Sequence, residues 1–458
     1  MKIKINTRKY IGLCIASMLS CACNKTAFLN AKPQQSQIVP TSLADFQALL
    51  DNDGAMNGYL ENGVDPGLGE IGTNDYYTTD AYFTGNFTLA EQNEYIWAAN
   101  PYPALNISDW DLPYTAIFYA NEALVGIATI SPNSSNQAAY NNVVGSACFF
   151  RAMHYFAVAQ VFCPAYDSTS AKNDLGLPLR LSADINEKLQ RATVEATYNL
   201  IISDAQRAIP LLPVTPLYGT RPGRPAAYGL LARVYLSAGD YKDAGLYADS
   251  SLQLYSTLMD YNTLDTTQAQ PIAQFNAENL ISCIMVIPNQ LYYGYVDTTL
   301  LSTYDSNDLR PVVFYTPAPA QIKCTYDGSY NFYTGIATDE MYLTRAECRA
   351  RLGDLTGAMS DINTLLIKRY QTGTFINHTA ISIQDAVKQI LSERRKELIY
   401  RGLRWSDLRR LNKEGAAIGI SRYITGQTYT LAPNDPRWVW PIPDNVLSFN
   451  PGMQQNPR

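Results

Sequence analysis

The sequence has little of what catalysis and metal binding usually require. Its 458 residues include only two histidines, His154 and His378, and the five cysteines beyond residue 23 lie far apart with no C-x-x-C pair. This spacing argues against a zinc site and favours buried free thiols, with one or two disulfides as the alternative. The P-loop, G-x-S-x-G and H-E-x-x-H motifs are absent, and no G-x-G-x-x-G stands in a strand-to-helix context. No catalytic residue, metal ligand or cofactor is therefore predicted, and His154 is interpreted as a packing residue.

Excess basic charge and a membrane-length apolar run are also missing. The chain carries 35 basic and 41 acidic residues. Four of the basic residues lie in the first 20 positions, so the remainder has a formal charge of −10. An acidic body argues against nucleic acid as a partner, because nucleic-acid binding needs basic patches. No later apolar run reaches the length of a transmembrane helix, so membrane attachment is expected only through the N-terminus.

The N-terminus has the layout of a secretory signal. Basic residues within the first nine positions precede the apolar run Ile11–Leu19, which is too short to span a bilayer. Small residues then lead to Cys21 and Cys23, a pattern that resembles the lipobox of bacterial lipoproteins. We therefore predict that residues 1–20 are a lipoprotein signal peptide and that Cys21 or Cys23 becomes the lipidated N-terminus. An ordinary signal peptide is the alternative.

Two segments repeat each other at a constant offset of 114 residues. LARVYLSAGDYKDAGLYADSSL begins at Leu231 and RAECRARLGDLTGAMSDINTLL begins at Arg345. Both have a Gly-Asp pair between two stretches with helical apolar spacing. Glycine suits the left-handed residue that ends a helix, and aspartate can cap the next helix. Each segment is therefore predicted to form a helical hairpin of the tetratricopeptide type.

Further helices and two long irregular segments complete the predicted organisation. Apolar periodicity and capping residues predict helices over residues 114–127, 144–162, 193–212 and 382–400, and a short helix that carries Trp405, Leu408 and Leu411. Residues 54–111 and 261–338 are rich in Tyr, Asn, Gly and Pro and are too long for idle connections. A strand over residues 281–287 is expected to stiffen the second segment. The fold is predicted to be mostly α-helical with a loop-rich part and a few short strands.

A series of ordered motifs carries a family resemblance. They are FLNAKP (residues 28–33), FFRAMHYFAVAQVF (149–162), the two hairpin sequences, SERRKELIYRGLRWSDLRRL (392–411) and WPIPDNVLSFNPGMQQNP (440–457). Together they resemble the SusD/RagB family of nutrient-binding lipoproteins of Bacteroidetes. The resemblance implies an α–α superhelix with tetratricopeptide-like hairpins. It also implies a single body over residues 21–458, with an N-terminal portion over 21–213 and a C-terminal portion over 214–458.

The resemblance implies binding without catalysis. Members of the family are anchored to the outer membrane by an N-terminal lipid, are exposed at the cell surface, and capture nutrients for a SusC-like TonB-dependent transporter barrel. Oligosaccharide is the predicted ligand. The alternatives are peptide capture by the same machinery, a helical scaffold that binds only proteins, and a lipid-anchored glycoside hydrolase.

Two of the family motifs invite a structural interpretation. ERRKEL (residues 393–398) is interpreted as a brace between its helix and the C-terminal segment, rather than as a catalytic acid at Glu393 with a clamp at Arg395. Opposite charges three or four positions apart on a helix can pair. The final NPGMQQNP (residues 450–457) is predicted to run extended over the surface, held by side-chain amides.

Tyrosine is unusually abundant and suggests where a ligand binds. The chain has 33 tyrosines and 14 phenylalanines, and the richest stretches are residues 74–83, 95–110, 291–295 and 326–333. An aromatic ring with a polar edge can stack on the C–H face of a sugar, while neighbouring amides and carboxylates take its hydroxyls. The alternative is that these aromatics pack the irregular half. The predicted ligand-binding residues are Trp97, Trp110, Tyr76, Tyr293 and Tyr330.

Overall fold

Helices dominate the regular structure. The computed structural model of the protein describes residues 40–59, 62–184 and 186–458, and residues 42–458 form one compact unit. The helices are α1 (Leu43–Leu50), α2 (Asp53–Asn57), α3 (Leu68–Ile71), α4 (Asp80–Gly85), α5 (Leu89–Tyr95), α6 (Ser108–Ile127), α7 (Gln137–Phe162), α8 (Val194–Ala208), α9 (Arg224–Ser237), α10 (Tyr241–Leu254), α11 (Asn289–Tyr292), α12 (Thr298–Leu301), α13 (Arg310–Phe314), α14 (Thr338–Arg351), α15 (Leu355–Leu366), α16 (Ile383–Glu397), α17 (Arg404–Lys413) and α18 (Asp444–Phe449).

The N-terminal predictions cannot be compared with this structure. The signal peptide, Cys21, Cys23 and the FLNAKP motif lie outside the described residues. The division of the body near residue 213 also stays a prediction. Across the described ranges, no helix combines the length and apolarity that crossing a membrane requires.

The repeat at an offset of 114 residues is confirmed as two matching hairpins. Helices α9 and α14 begin 114 residues apart, and so do α10 and α15. Gly239 and Gly353 end the first helix of each hairpin with φ of 76° and 93°, in the left-handed region that glycine tolerates. Asp240 then accepts a hydrogen bond from the Asp243 amide at 3.1 Å. In the second hairpin, the Asp354 side chain accepts a hydrogen bond from the Gly357 amide. Both caps confirm the helix starts predicted from the sequence.

The long helices pack in succession into the predicted α–α superhelix. Helix α6 packs on α7, α7 on α8, α8 on α9, α9 on α10, α10 on α14, and α14 on both α15 and α16. Small and branched side chains fill these interfaces because they allow close approach of the helix axes. Ala227, Leu230 and Val234 of α9 are fully buried, as are Ala244 and Ala248 of α10.

Several predicted helix boundaries need correction. Helix α6 begins at Ser108 and runs through Pro113, and α7 begins at residue 137 rather than 144. Helix α8 ends at Ala208, close to the stop that Pro210 predicts within the stretch 193–212, and α16 ends at Glu397 rather than 400. Polar residues extend α6 and α7 beyond their apolar stretches, so hydrophobic periodicity alone underestimates both helices.

Four two-stranded antiparallel pairs lie outside the helical array within the described residues. They are β1 (Tyr76–Tyr77) with β5 (Tyr295–Val296), β2 (Leu175–Pro178) with β3 (Arg191–Thr193), β4 (Asn279–Ile281) with β6 (Ile336–Ala337), and β7 (Ile420–Ile424) with β8 (Gln427–Leu431). The predicted strand over residues 281–287 is wrong in extent. Regular pairing ends at Ile281, and only isolated bridges at Ile284 and Met285 continue it.

The packed long helices form what we call the helical frame. The ERRKEL motif braces this frame, but through partners other than the predicted ones. Arg310 is fully buried and pairs with Glu393 at 2.7 Å and with Glu397 at 3.1 Å. Glu397 also accepts from Arg369 at 2.7 Å. Arg394 pairs with Asp407 of α17 at 2.8 Å. The brace therefore joins α16 to α13, α17 and the end of the α15 hairpin, whereas a brace to the C-terminal segment 440–457 was expected.

The C-terminal amides hold the chain end as predicted. The Asn456 amide donates to the carbonyl oxygens of Phe162 at 2.9 Å and Trp440 at 2.8 Å. The Gln455 side chain exchanges two hydrogen bonds with the backbone of Ile442. This pinning closes the C-terminal segment over the end of α7.

The five described cysteines and His154 are packing residues of the interior. Cys148, Cys163, Cys283, Cys324 and Cys348 are buried free thiols. His154 is also buried, with Nδ1 3.1 Å from an Asp65 carboxylate oxygen and Nε2 3.1 Å from the Met56 carbonyl. Both ring nitrogens have protein partners, which agrees with the interpretation of His154 as a packing residue.

Candidate functional site

Strand pairing joins two of the tyrosine-rich stretches that the sequence separates. Strand β1 lies in the stretch 74–83, and β5 begins at the last residue of the stretch 291–295 and ends at Val296. Their antiparallel register sets Tyr77 opposite Tyr295 and Tyr76 opposite Val296. Alternate side chains of a strand point to opposite faces. Tyr76 consequently points into the core, and Tyr77 points outward with 37% of its surface exposed.

The outward rings form a stacked cluster, which we call the tyrosine surface. The rings of Tyr77 and Tyr295 are 5.5 Å apart at an interplanar angle of 27°, and those of Tyr82 and Tyr293 are 5.6 Å apart at 24°. Tyr292 meets Tyr293 edge to face at 5.7 Å. The cluster is partly open to solvent, because Tyr292 and Tyr293 remain 45% and 36% exposed.

A glycine allows these rings to lie so close to the core. A Cβ at Gly294 would lie 2.7 Å from the ring of Tyr76 and 2.8 Å from the Gln290 carbonyl oxygen, distances that side chains do not tolerate. Only glycine lets the backbone between Tyr293 and Tyr295 pass over the buried Tyr76.

The helical frame supports the floor of the tyrosine surface through one residue of the ERRKEL motif. Arg395 of α16 pairs with the buried Asp75 carboxylate at 2.7 Å and donates to the Asn74 carbonyl at 3.0 Å. It also reaches Asp297, just after β5, at 3.4 Å. One guanidinium therefore ties both tyrosine-bearing segments to the frame. Its role is structural positioning, in keeping with the interpretation made from sequence.

Polar contacts fix the edge of the tyrosine surface at α11. The Asn289 amide donates to the Glu91 carboxylate at 2.7 Å, and the Gln290 amide donates to the Glu94 carboxylate at 2.7 Å. Burial, reinforced by the charge of Asp109, raises the pKa of Glu94 to about 8. The contacts join α5 to α11, the helix that carries Tyr292.

A groove of about 170 Å³ adjoins the tyrosine surface. Tyr292 and Tyr330 stand on its walls, and Tyr330 is 65% exposed. Its polar lining includes Thr316, Gln321 and Lys323. The Lys323 ammonium donates to the Thr266 carbonyl at 2.9 Å and has no carboxylate partner among the described residues. Aromatic rings and hydrogen-bonding groups thus lie side by side at one site.

The structure separates the five predicted ligand-binding residues into two groups. Tyr293 lies on the tyrosine surface and Tyr330 on the groove beside it. Trp97, Trp110 and Tyr76 instead belong to the core, with exposures of 0%, 4% and 3%. Their rings offer no free face to a ligand, and ligand binding at Tyr293 and Tyr330 stays a prediction.

Specific contacts explain why the three buried aromatics are not at the surface. Trp97 donates from Nε1 to the Gly72 carbonyl at 3.2 Å and stacks under the Arg422 guanidinium. Trp110 lies in α6 and stacks on Tyr114 at 4.9 Å. Tyr76 donates from its hydroxyl to the Ile71 carbonyl at 3.0 Å. The packing alternative weighed for the aromatics therefore holds for these three.

The sequence predicted the tyrosine-rich stretches but not all the tyrosines that form the tyrosine surface. Tyr77, Tyr82 and Tyr295 lie within the tyrosine-rich stretches 74–83 and 291–295 but are not among the five predicted ligand-binding residues. Period-two alternation at Tyr76–Tyr77 was the available signal, since one of two adjacent strand residues must face outward. The pairing of β1 with β5 could not be inferred, because about 200 residues separate them.

The chemistry of the arrangement suits binding of a flat, hydroxylated ligand. Aromatic faces bury the apolar side of such a ligand, and amide, hydroxyl and ammonium groups orient its polar rim. Over the part of the chain that the structure describes, no cluster of three or more His, Cys, Asp or Glu side chains could hold a metal ion.

Comparison with protein families defines the class. Residues 27–236 match a SusD-like family model described as starch-binding and associating with the outer membrane, and residues 328–458 match the SusD family model. These matches cover more than half of the chain. The chain therefore belongs to the SusD family.

Individual relatives agree with this assignment. A SusD-like protein of Formosa agariphila is 34% identical over 122 residues, which are 26% of this chain and 22% of the relative. The match thus spans about a fifth of that relative's length. A putative sugar-binding protein of Bacteroides vulgatus has the same fold, with a TM-score of 0.72 and 21% identity over 92% of this chain and 99% of its own. A SusD superfamily protein of Bacteroides thetaiotaomicron gives 0.70 and 21% over 91% and 100%.

Proposed function

We propose that this protein captures oligosaccharides at the tyrosine surface and delivers them to a SusC-like TonB-dependent transporter of the outer membrane. Membership of the SusD family supports a binding role at that membrane. The observation that carries the ligand class is the stacked cluster of Tyr77, Tyr82, Tyr293 and Tyr295 beside a polar groove. The role proposed is capture without catalysis.

The geometry of the rings supports sugar over peptide as the ligand. Tyr77 with Tyr295 and Tyr82 with Tyr293 are two nearly parallel pairs, so the rings of each pair share one orientation against which a flat ligand can stack. A pyranose buries a flat C–H face against such rings and turns its hydroxyls to the groove. Peptide recognition by strand addition would use an outer edge of the β1–β5 pair, so binding of peptides is the alternative that the titration must test.

Attachment to the cell surface is part of the same proposal. Cleavage after residue 20 or 22 would leave Cys21 or Cys23 as a lipidated N-terminus on the outer membrane. Stable anchoring takes more than one acyl chain. Held there, the body would enclose the ligand against a transporter barrel. Weak binding of each sugar would suffice, because confinement raises the effective concentration.

Calorimetric titration of the purified protein tests the ligand class. The probes are a panel of neutral and acidic oligosaccharides that includes maltoheptaose, and mixtures of short peptides. We expect saturable binding of at least one oligosaccharide and a loss of roughly 3- to 10-fold in affinity for Tyr293→Ala, since one stacking face disappears. Tyr423→Ala is the matched control, because Tyr423 is 73% exposed on β7 and lies outside the tyrosine surface.

Three results would count against the proposal. Binding of peptides alone would favour the peptide version of the uptake role. Equal loss for Tyr293→Ala and Tyr423→Ala would mean that the tyrosine surface is not the site. Release of reducing ends from a bound oligosaccharide would indicate a hydrolase. Affinity purification from outer membranes tests the partner, and we expect a large barrel protein to co-purify.

A further inference from the structure

A second pocket lies among α17, the segment after α7 and the C-terminal residues. Its volume is about 240 Å³. None of its lining residues belongs to the tyrosine surface or to the groove beside it. The family motifs on α17 and at the C-terminus contribute Arg409 and Asn456 to its lining.

Arg409 is the exceptional side chain of this pocket. It is only 5% exposed, yet no carboxylate of the described residues pairs with it. Its two terminal nitrogens donate to the carbonyl oxygens of Gln160 and Cys163. A guanidinium has five N–H donors, so three remain without a protein partner among the described residues. Burial lowers the pKa of Arg409 to about 10, which still leaves it cationic at neutral pH.

Its neighbours in the same motif show that carboxylate pairing is the rule there. Arg394 pairs with Asp407, Arg401 with Asp339, and Arg410 with Glu347. A buried charge without a counter-ion is costly, and proteins normally pair such charges. The one buried arginine of α17 that lacks a carboxylate is therefore the one that lines a pocket.

The other charged groups of the pocket already balance each other. Asp435 lines the pocket and accepts a two-pronged contact from Arg437, at 2.9 Å from Nε and 2.8 Å from a terminal nitrogen. Lys413 lies 3.7 Å from the Asp167 carboxylate. Arg409 is thus the one charged side chain of the lining without a partner of opposite formal charge among the described residues, and its two contacts are carbonyl oxygens at the C-terminal end of α7. The pocket is thus electrostatically suited to one anion in a protein whose overall charge is negative.

Apolar groups form much of the remaining wall. They include Trp438, Val439, Pro164 and Pro436. The amide groups of Asn412 and Asn456 are occupied by backbone partners, Asn412 with Ile418 and Asn456 with Phe162 and Trp440.

We propose that this pocket is a second ligand site, which binds a small organic carboxylate with an apolar body. The carboxylate accepts hydrogen bonds from the free N–H groups of Arg409, and the apolar body lies against Trp438 and Val439. A charge-assisted hydrogen bond to a planar guanidinium is among the stronger polar contacts in proteins. The ligand class differs from the oligosaccharide of the tyrosine surface.

Matched probes test the charge requirement. Phenylacetate and hexanoate are titrated calorimetrically into the purified protein beside their neutral amides, phenylacetamide and hexanamide. We expect at least about tenfold tighter binding of a carboxylate than of its amide, as one lost charged hydrogen bond corresponds to this factor. Equal binding of acid and amide, or no saturable binding of either carboxylate, would overturn the proposal.

Variants test the location. Ala165→Leu adds bulk to the pocket wall while the guanidinium of Arg409 is retained, and it should abolish carboxylate binding. Arg409→Gln should remove the preference for the acid over the amide, and Arg409→Lys should restore part of it. Unchanged melting temperatures establish that each variant is folded. If Arg409→Gln does not fold, the Ala165→Leu variant still tests the location of the site. Carboxylate binding that persists in Ala165→Leu would contradict the assignment to this pocket.

Discussion

The helical frame buries charged side chains, whereas the tyrosine surface exposes aromatic ones. In the frame, large charged groups such as Arg310, Arg369 and Glu397 are fully buried and paired. On the tyrosine surface, the apolar rings of Tyr292 and Tyr293 stay exposed to solvent. The residues that stabilise the frame therefore differ from those proposed to capture ligand, so we expect the exposed rings to change without loss of the fold.

The largest effect is expected in the buried charge network of the frame. Glu397→Ala would leave Arg310 and Arg369 buried with one carboxylate fewer. Removal of one partner of a buried pair typically costs about 3–5 kcal/mol of the free energy of unfolding. Urea denaturation followed by circular dichroism measures this change.

An exposed ion pair supplies the control for that prediction. Lys368 and Asp260 pair at 3.1 Å with side chains 42% and 33% exposed. Lys368→Ala should cost no more than about 1 kcal/mol, because solvent screens such pairs. Similar losses for Glu397→Ala and Lys368→Ala would mean that the buried network does not dominate the stability of the frame.

Two aromatic substitutions separate core from surface. Trp97→Ala empties a fully buried site and should destabilise the protein by about 3–5 kcal/mol, whereas Tyr293→Ala should change stability by no more than about 0.5 kcal/mol. Thermal unfolding measures both. A stable Trp97→Ala variant that has lost ligand binding would contradict the core assignment and return Trp97 to the candidate site.

Glu70 makes the stability of the frame depend on pH. Glu70 is fully buried beside Asp75, and burial together with that neighbouring charge raises its pKa to about 8. Between the ordinary pKa of 4.5 and about 8, the folded state holds a proton that the unfolded state has released. Stability from this group therefore falls as pH rises through that range.

Substitution at Glu70 isolates this contribution. In Glu70→Gln the side chain can still accept from the Gly402 amide, which lies 2.9 Å away, but it no longer ionises. We expect Glu70→Gln to be more stable than the original protein at pH 9 by at least about 1 kcal/mol, with little gain at pH 5. Unfolding midpoints measured across pH 5–9 test this, and parallel curves for the two proteins would contradict it.

Modest effects are expected at the caps of the two hairpins. Asp240→Ala and Asp354→Ala each remove the N-cap of the second helix of a hairpin. Each should cost about 1 kcal/mol, with similar values because the two hairpins share their local geometry. Denaturation of both variants tests this, and a cost in one hairpin only would break their equivalence.

Local signals explain which parts of the fold were predictable. Gly239 with Asp240 and Gly353 with Asp354 specify helix end, turn and cap within a few residues, so the hairpins follow from sequence. Thr193 and Ser382 likewise mark helix starts, since each caps the helix that follows it. The resemblance to the family added the α–α superhelix, an arrangement of the helices in space that short-range patterns do not specify.

Long-range contacts explain what was missed. Arg310 meets Glu393 and Glu397 across more than 80 residues, so the partners of the brace could not be read from helical spacing. The candidate site was predictable only as tyrosine-rich stretches. Whether Trp97 or Tyr77 faces solvent depends on Arg422 and on strand β5, both far away in sequence.

A crystal structure with bound ligand tests the central claim most directly. The ligand is the oligosaccharide with the highest affinity in the titration panel. We expect sugar rings stacked on Tyr293 or Tyr77, with hydroxyls directed to the groove beside Tyr330. A ligand bound elsewhere on the molecule, with the tyrosine rings free, would contradict it.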